Sequence, residues 1–313
     1  MTRQDTAPKP SLPPLHFLLA LAVVGIWGTN FVVIHHGLKQ FPPFTFAALR
    51  FAFAVFPAIL FLPRPTASMK QVAAYGLLIG VGQFGLLYLA MNGHITPGLA
   101  SLVVQTQVFF TIGFTMLFYR ERLAPLQWAA LGLCALGLAV IALATDGSAS
   151  ALGLALVVAA GASWGVANLI SRAIPGENVL SFIVWSSLFS VPPLILIAAL
   201  AEGPDRMIEA VRTAGVAAWG TVLWQSAANT LFGYGVWSWL LSRHQAALIV
   251  PTALLVPVFG MSASMLLLGE SMPVWKVAAA AIIVTGLGLN LLASRRGRRS
   301  AAAGSTQGRP DAN

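Results

Sequence analysis

The sequence predicts an all-α integral membrane protein: ten transmembrane helices arranged as two inverted five-helix repeats. Three observations carry this: a chain-wide shortage of charge, ten apolar windows of spanning length, and an internal repeat with an odd number of spans. Of 313 residues only 9% are charged and 58% are hydrophobic, whereas a soluble fold carries about a quarter charged residues. The shortage extends along the whole chain, which excludes a soluble enzyme with a single anchor. One cysteine, Cys134, excludes a disulfide framework and a multi-thiolate metal site.

A helix crossing a hydrocarbon core of about 30 Å needs roughly 20 apolar residues. Windows of that kind run at about 15–34, 44–62, 72–91, 98–118, 126–144, 152–171, 179–200, 216–240, 247–268 and 274–293; they are spans 1 to 10 below. Span 1 follows Arg3 and Lys9 as a signal peptide would. Its full spanning length, and the return of its Trp-Gly-Asn pattern later in the chain, argue against cleavage. The short connections leave no room for an extramembrane domain. Residues 1–14 read as a disordered cytoplasmic amino terminus and 295–313 as a basic, disordered cytoplasmic tail, with five-helix repeats at 15–150 and 151–294.

Alternating spans assign the basic residues to sides. With the amino terminus inside, the cytoplasm receives Arg3, Lys9, Arg64, Lys70, Arg120, Arg122, Arg172, Arg243, Arg295, Arg296, Arg298, Arg299 and Arg309, and the opposite face Lys39, Arg206, Arg212 and Lys276. Arg50 lies within span 2. This asymmetry places both termini in the cytoplasm. It also gives the net charge of +9 a topological explanation, with anionic lipid and not nucleic acid as the partner of the Arg295 to Arg299 cluster.

Trp27-Gly28-Thr29-Asn30 in span 1 returns as Trp164-Gly165-Val166-Ala167-Asn168 in span 6. Span 4 ends at Tyr119-Arg120-Glu121 and span 9 at Leu268-Gly269-Glu270, each followed by a tryptophan, Trp128 or Trp275. Gly137-Leu138 and Gly286-Leu287 match at the same offset as the two glutamates. Five spans per half invert the second half relative to the first, an architecture shared by many secondary transporters. Gly76 and Gly80, and Gly161 and Gly165, are small-xxx-small pairs suited to close helix packing. Pro57, Pro192, Pro193, Pro251 and Pro257 mark bends in spans 2, 7 and 9.

Polar side chains in hydrocarbon are costly unless they face the bundle or a wet cavity, so they mark candidate site residues. Trp27 with Asn30, and Trp164 with Asn168, share helix faces. Span 3 offers Gln83, Tyr88 and Asn92, and span 8 offers Trp224, Gln225, Asn229 and Tyr234. Gln105 and Gln107 point about 200° apart on a regular helix, so one lines the pathway and the other binds a neighbour; the sequence leaves open which. Neutral amides and aromatics suit a small polar or zwitterionic solute. Arg50, about six residues from the outer end of span 2, is the one buried cation; carboxylate binding and a snorkelling anchor weigh equally for it.

No acidic residue lies mid-span. Glu121 and Glu270 stand before spans 5 and 10, where a carboxylate favours a helix amino terminus. His16, His35, His36, His94 and His244 lie near interfaces, so proton coupling is allowed without being indicated. No Walker loop, His-Glu-x-x-His pair or Ser-His-Asp set is present at membrane depth. The reading is therefore a non-enzyme with no catalytic residues, metal or cofactor.

The segments WGTNFVVIHHGL (27–38), PPFTFAALRFAFAVFPAI (42–59), GLASLVVQTQVFFTI (98–112), FYRERL (118–123), ASWGVANLISRA (162–173), FGYGVWSWLLSR (232–243) and VPTALLVPVFGMSASMLLLGE (250–270) resemble the EamA family of the drug/metabolite transporter superfamily. FVVI, LRF followed by FPAI, and the Gln105 and Gln107 pair look most like the bacterial O-acetylserine/cysteine exporters. The resemblance implies a ten-helix inner-membrane carrier that exports small metabolites by alternating access. Its cavity would be built from spans 1, 3, 4, 6, 8 and 9, with spans 5 and 10 as packing or homodimer surfaces. The candidate substrate contacts are then Asn30, Arg50, Gln83, Tyr88, Gln105, Gln107, Trp164, Asn168, Trp224, Gln225 and Asn229. His35, His36 and the basic tail depart from the apparent relatives. Competing readings are export of a purine, aromatic amino acid or drug, a lipid-acting enzyme using Glu121 with Arg120 and Arg122, and a membrane sensor.

Overall fold

A computed structural model describes residues 12–120, 123–144 and 146–307. Glu121 and Arg122, and with them the candidate lipid-acting cluster, lie outside the described residues. The spans form α1 (Pro14–Leu38), α2 (Pro43–Leu60), α3 (Met69–Met91), α4 (Pro97–Tyr119), α5 (Pro125–Leu143), α6 (Ala151–Arg172) and α7 (Val179–Ala201). A short helix not anticipated, α8 (Pro204–Thr213), follows, with an acidic first turn at Asp205 and a basic last turn at Arg212, as the helix dipole favours. Span 8 becomes α9, made of Val216–Leu223, the wider turns Trp224–Phe232 and Gly233–Arg243. Span 9 becomes α10 (Val250–Leu268) and span 10 becomes α11 (Val274–Gln307).

Nine helices among the described residues are long and apolar enough to cross a membrane. The expected span that does not qualify is α9, whose middle holds Gln225, Ser226, Asn229 and Thr230. Large side chains cover the outside of the bundle, among them Leu117, Leu143, Leu200 and Leu266, as lipid contact requires. The tail expected to be disordered begins as helix: α11 continues past residue 293 to Gln307, because its Arg and Ala residues favour helix and no proline interrupts it.

The main helix pairs correspond when the two halves are exchanged. α1 packs on α10 as α6 packs on α4, and α1 packs on α9 as α6 packs on α3. The pairs α2 with α7, α4 with α10 and α5 with α11 map onto themselves, and α3 on α7 corresponds to α2 on α9. Repeat-related glycines set the first of these contacts. A Cβ on Gly28 would lie 2.4 Å from the Phe259 Cβ, and one on Gly165 would lie 2.7 Å from the Phe110 Cβ. Gly76 likewise lies against the Ser186 carbonyl of α7.

Backbone irregularities also come in repeat-related pairs. α3 widens into π-helical turns at Leu78–Gly85 and α9 at Trp224–Phe232; α4 tightens to 3-10 geometry at Val104–Thr106 and α10 begins with it at Val250–Leu255. Carboxylates tie the ends. Glu202, after α7, accepts hydrogen bonds from the backbone N–H groups of Phe44 and Thr45 at 2.6 and 3.0 Å, capping α2 where the helix dipole favours an anion. Glu177 does the same for the N–H groups of Thr66 and Ala67 ahead of α3.

Candidate functional site

Where turns widen, the ordinary i to i−4 ladder is lost and carbonyls are freed. Each half supplies a donor to the other. The Trp27 indole Nε1 of α1 donates to the Asn229 carbonyl of α9 at 3.2 Å, and the Ser163 hydroxyl of α6 donates to the Leu78 carbonyl of α3 at 2.8 Å. Thr230 Oγ1 donates to the Gln225 carbonyl within α9 at 2.9 Å. The irregular segments are thus held by neighbours, and they carry the polar side chains singled out from the sequence.

Those side chains divide into two groups. Gln107 and Asn168 are adhesive: Asn168 Nδ2 donates to Gln107 Oε1 at 2.8 Å and to Thr111 Oγ1 at 2.9 Å, joining α6 to α4. Trp164 is half-buried on the same helix and packs against the core. Asn30, Gln83 and Gln225 form the second group. They are buried, and Asn30 Oδ1, Gln83 Oε1 and both polar atoms of the Gln225 amide have no hydrogen-bonding partner among the described residues, as is also true of the Trp224 indole N–H. Gln105, Asn229 and Tyr88 are buried too. Unpaired buried polar groups are costly in a folded protein, about 1–3 kcal/mol each, and such a cluster calls for an explanation.

Arg50 does not snorkel. Its side chain is buried, 1% exposed, because the start of α2 is sealed beneath the Glu202 cap and Thr45, Phe46 and Ala47 around it are buried. Arg50 Nη2 donates to Thr230 Oγ1 at 2.9 Å and Nη1 to the Tyr88 hydroxyl at 3.4 Å, while Nε has no partner among the described residues. The guanidinium carbon stands 3.8 Å from the Phe84 ring centroid and 4.9 Å from that of Phe51, cation–π contacts that offset part of its desolvation. It forms no ion pair with a described carboxylate. Ser226 Oγ donates to the Arg50 carbonyl at 2.9 Å and fixes α2 to α9.

Beside the guanidinium is a cavity of about 10 Å³, the room of one water. Its polar lining is Tyr75, Ser186, Ser187, Ser190, Thr230 and Tyr234. The sequence reading missed the α7 serines, since serine is an ordinary packing residue in membrane helices. The signal was their i, i+4 register facing Gly76 and Gly80, where Ser190 Oγ donates to the Gly76 carbonyl at 2.8 Å. A larger cavity of about 280 Å³ lies at the end of the bundle under α8, lined by Lys39, Phe41, Asn92, Arg206 and Glu209 among others. Phe41 of that lining stacks on Phe46 with centroids 5.7 Å apart, and Phe46 meets the ring of Tyr88, the Arg50 partner, at a tilt with centroids 5.1 Å apart.

Glu270 caps a helix, but not the one that follows it. Its carboxylate accepts hydrogen bonds from Thr96 Oγ1 and the Gly98 N–H at the start of α4, and pairs with the buried Lys276 at 3.1 Å. The imidazoles of His16 and His244 approach to 2.6 Å where α1 begins and α9 ends. No group of three or more metal-binding side chains occurs among the described residues.

Comparison with known proteins agrees with this arrangement. Over 292 residues the chain is 37% identical to a protein of Salmonella typhimurium named "Probable amino-acid metabolite efflux pump", covering 91% of this chain and 98% of that one. A protein of the same name from Escherichia coli is 37% identical over 284 residues, 89% and 95% of the two chains. A "Probable terminal-alkyne amino-acid exporter" of Streptantibioticus cattleyicolor is 26% identical over 304 residues, 93% and 97% of the two. A solved structure titled "Crystal structure of protein" superposes with a TM-score of 0.58 at 20% identity over 90% of this chain and 97% of that one, a likeness of fold. The profile of the EamA-like transporter family matches residues 15–143 and again 151–292. Two copies of that unit, packed so that their main helix pairs correspond on exchange, make this chain a multi-pass membrane protein belonging to the EamA-like transporter family.

Proposed function

We propose that the protein is a secondary exporter of small polar metabolites, amino acids such as O-acetylserine or cysteine, working by alternating access between two inverted repeats with both termini in the cytoplasm of a bacterial inner membrane. The observation that carries the reading is the set of unpaired, buried polar groups on Asn30, Gln83, Trp224 and Gln225, three of them on helices that widen at repeat-related places. A packed core would pair these groups or replace them with apolar ones. A carrier keeps them for a solute, and π-helical turns recur at functional sites. The names of the relatives support amino-acid metabolites as the solute class.

In this reading Asn30, Gln83, Tyr88, Gln105, Trp224, Gln225, Asn229 and Arg50 line the solute path, while Gln107, Trp164 and Asn168 form the α4–α6 wall beside it. The small cavity belongs to a closed conformation, and rocking of one repeat against the other widens it. The test is overexpression in cells with measurement of extracellular O-acetylserine and cysteine. The reading expects both to rise over an empty vector, with the rise lost in Gln225→Leu at equal membrane abundance. Equal extracellular levels with and without the protein would overturn it.

A further inference from the structure

We propose that Arg50 is the recognition residue for a carboxylate on the transported solute, and that the hydroxyl-lined cavity beside it, between α2, α3, α7 and α9, is the subsite that receives this carboxylate. The proposal rests on the transport reading above and adds to it the residue that reads the charge, and with it the chemical class of the cargo.

A guanidinium taken out of water is costly, and a single buried charge is ordinarily paired or displaced to the surface. Arg50 is neither. It is 1% exposed, and among the described residues its partners are neutral: the hydroxyls of Thr230 and Tyr88 and the faces of Phe84 and Phe51. Its Nε–H has no acceptor among the described residues. A fixed cation with an unused donor, opening on a cavity, is matched by an anion that enters from outside the protein. The arginine fork matches a carboxylate in shape and hydrogen-bond direction.

The rest of the cavity agrees. Ser186 and Ser187 on α7 bring further hydroxyls to it, and Ser186 Oγ has no partner among the described residues. Hydroxyls can donate to the second carboxylate oxygen and accept from an ammonium group nearby. No carboxylate among the described residues lines the cavity, so none of them competes there for Arg50, and the solute's own ammonium would rest among hydroxyls and aromatic faces. Because the cavity now has room for one water, a solute enters only as α2 and α3 part from α7 and α9. The carboxylate therefore neutralises Arg50 in the state where the halves have opened.

The experiment uses the full-length protein in proteoliposomes, exchanging radiolabelled L-cysteine and O-acetyl-L-serine. Competitors come in pairs differing only at the carboxylate: L-cysteine against L-cysteine methyl ester, and L-serine against L-serinamide. For wild type, the acid of each pair should compete about tenfold better than its uncharged partner, the weight of one charge-assisted hydrogen bond. In Arg50→Gln this preference should fall below about twofold, and in Arg50→Lys, which keeps the charge without the fork, it should be intermediate. A thermal-shift arm with the same competitors in detergent reports binding where a variant has lost transport. Exchange by wild type with no preference for acids, or a full preference surviving in Arg50→Gln, overturns the carboxylate proposal and leaves the transport reading standing. Equal competition by chloride and by acids would assign Arg50 to a resident inorganic anion, which also overturns it. No exchange of either solute by wild type would overturn the transport reading for these solutes, and the proposal with it.

Discussion

Glu270, just after α10, accepts a 2.9 Å hydrogen bond from the Gly98 amide at the start of α4, so the second repeat holds the first at a helix terminus. The same carboxylate neutralises Lys276, itself 1% exposed. Glu270→Ala should therefore remove a cap and strand a buried cation, a loss of about 3 kcal/mol or more. The expected outcome is a fall of several degrees in the unfolding temperature in detergent. Adding Lys276→Met should recover much of it, since an absent pair costs less than a broken one.

The two groups of amides should separate stability from transport. Asn168→Ala breaks two hydrogen bonds between α6 and α4 and should lower stability by about 0.6–1.7 kcal/mol with exchange reduced but present. Gln225→Leu replaces two unpaired buried polar atoms and should leave stability unchanged or raise it while abolishing exchange. Thermal unfolding and proteoliposome exchange on the two variants check this together.

Phe46 links Phe41, in the lining of the cavity under α8, to Tyr88, the partner of Arg50, stacked on the first ring and tilted against the second. Phe46→Ala should open a passage there. In a Cys134→Ala background carrying Thr230→Cys, a membrane-impermeant thiol reagent applied from the α8 side should react at least several-fold faster with Phe46→Ala present than without it.

Glu177 provides a pH-dependent clasp outside the spans. Burial alone would raise its pKa, but donation from the Thr66 hydroxyl and from the N–H groups of Thr66 and Ala67 holds it below the ordinary value of 4.5. A carboxylate whose folded pKa is depressed adds stability that is fully present above the unfolded value and fades as pH falls through the folded one. The difference in unfolding temperature between wild type and Glu177→Gln should be constant from pH 7 down to about 5 and should shrink below about 4.5.

Much of the fold was legible because a membrane helix announces itself by length and apolarity, and because Trp27 and Trp164, or Gly137 and Gly286, repeat in order. The site was legible only in part. Gln225 and Asn229 stood out as amides in a span, but nothing in residue identity says that the backbone widens there into π-helical turns. Which of Gln105 and Gln107 binds a neighbour was decided by Asn168 on another helix. Arg50 stood evenly between carboxylate binding and anchoring for a similar reason. Its place along α2 is about two turns from the end, near enough to snorkel, until Glu202 seals that end from 158 residues away. Ser186 and Ser190 offered only an i, i+4 register, which gained meaning once Gly76 and Gly80 were seen against them.

The central claim, that the polar interior is reached by turns from either face, is tested most directly by a single cysteine at Gln225 in a Cys134→Ala background. Reconstituted protein of known orientation would be treated with an impermeant thiol reagent on one side and then the other, with and without O-acetyl-L-serine present. The account predicts reaction from both sides, slowed by the solute that the protein exchanges. A residue 225 thiol that reacts from neither side would mean a permanently dry core and contradict the account.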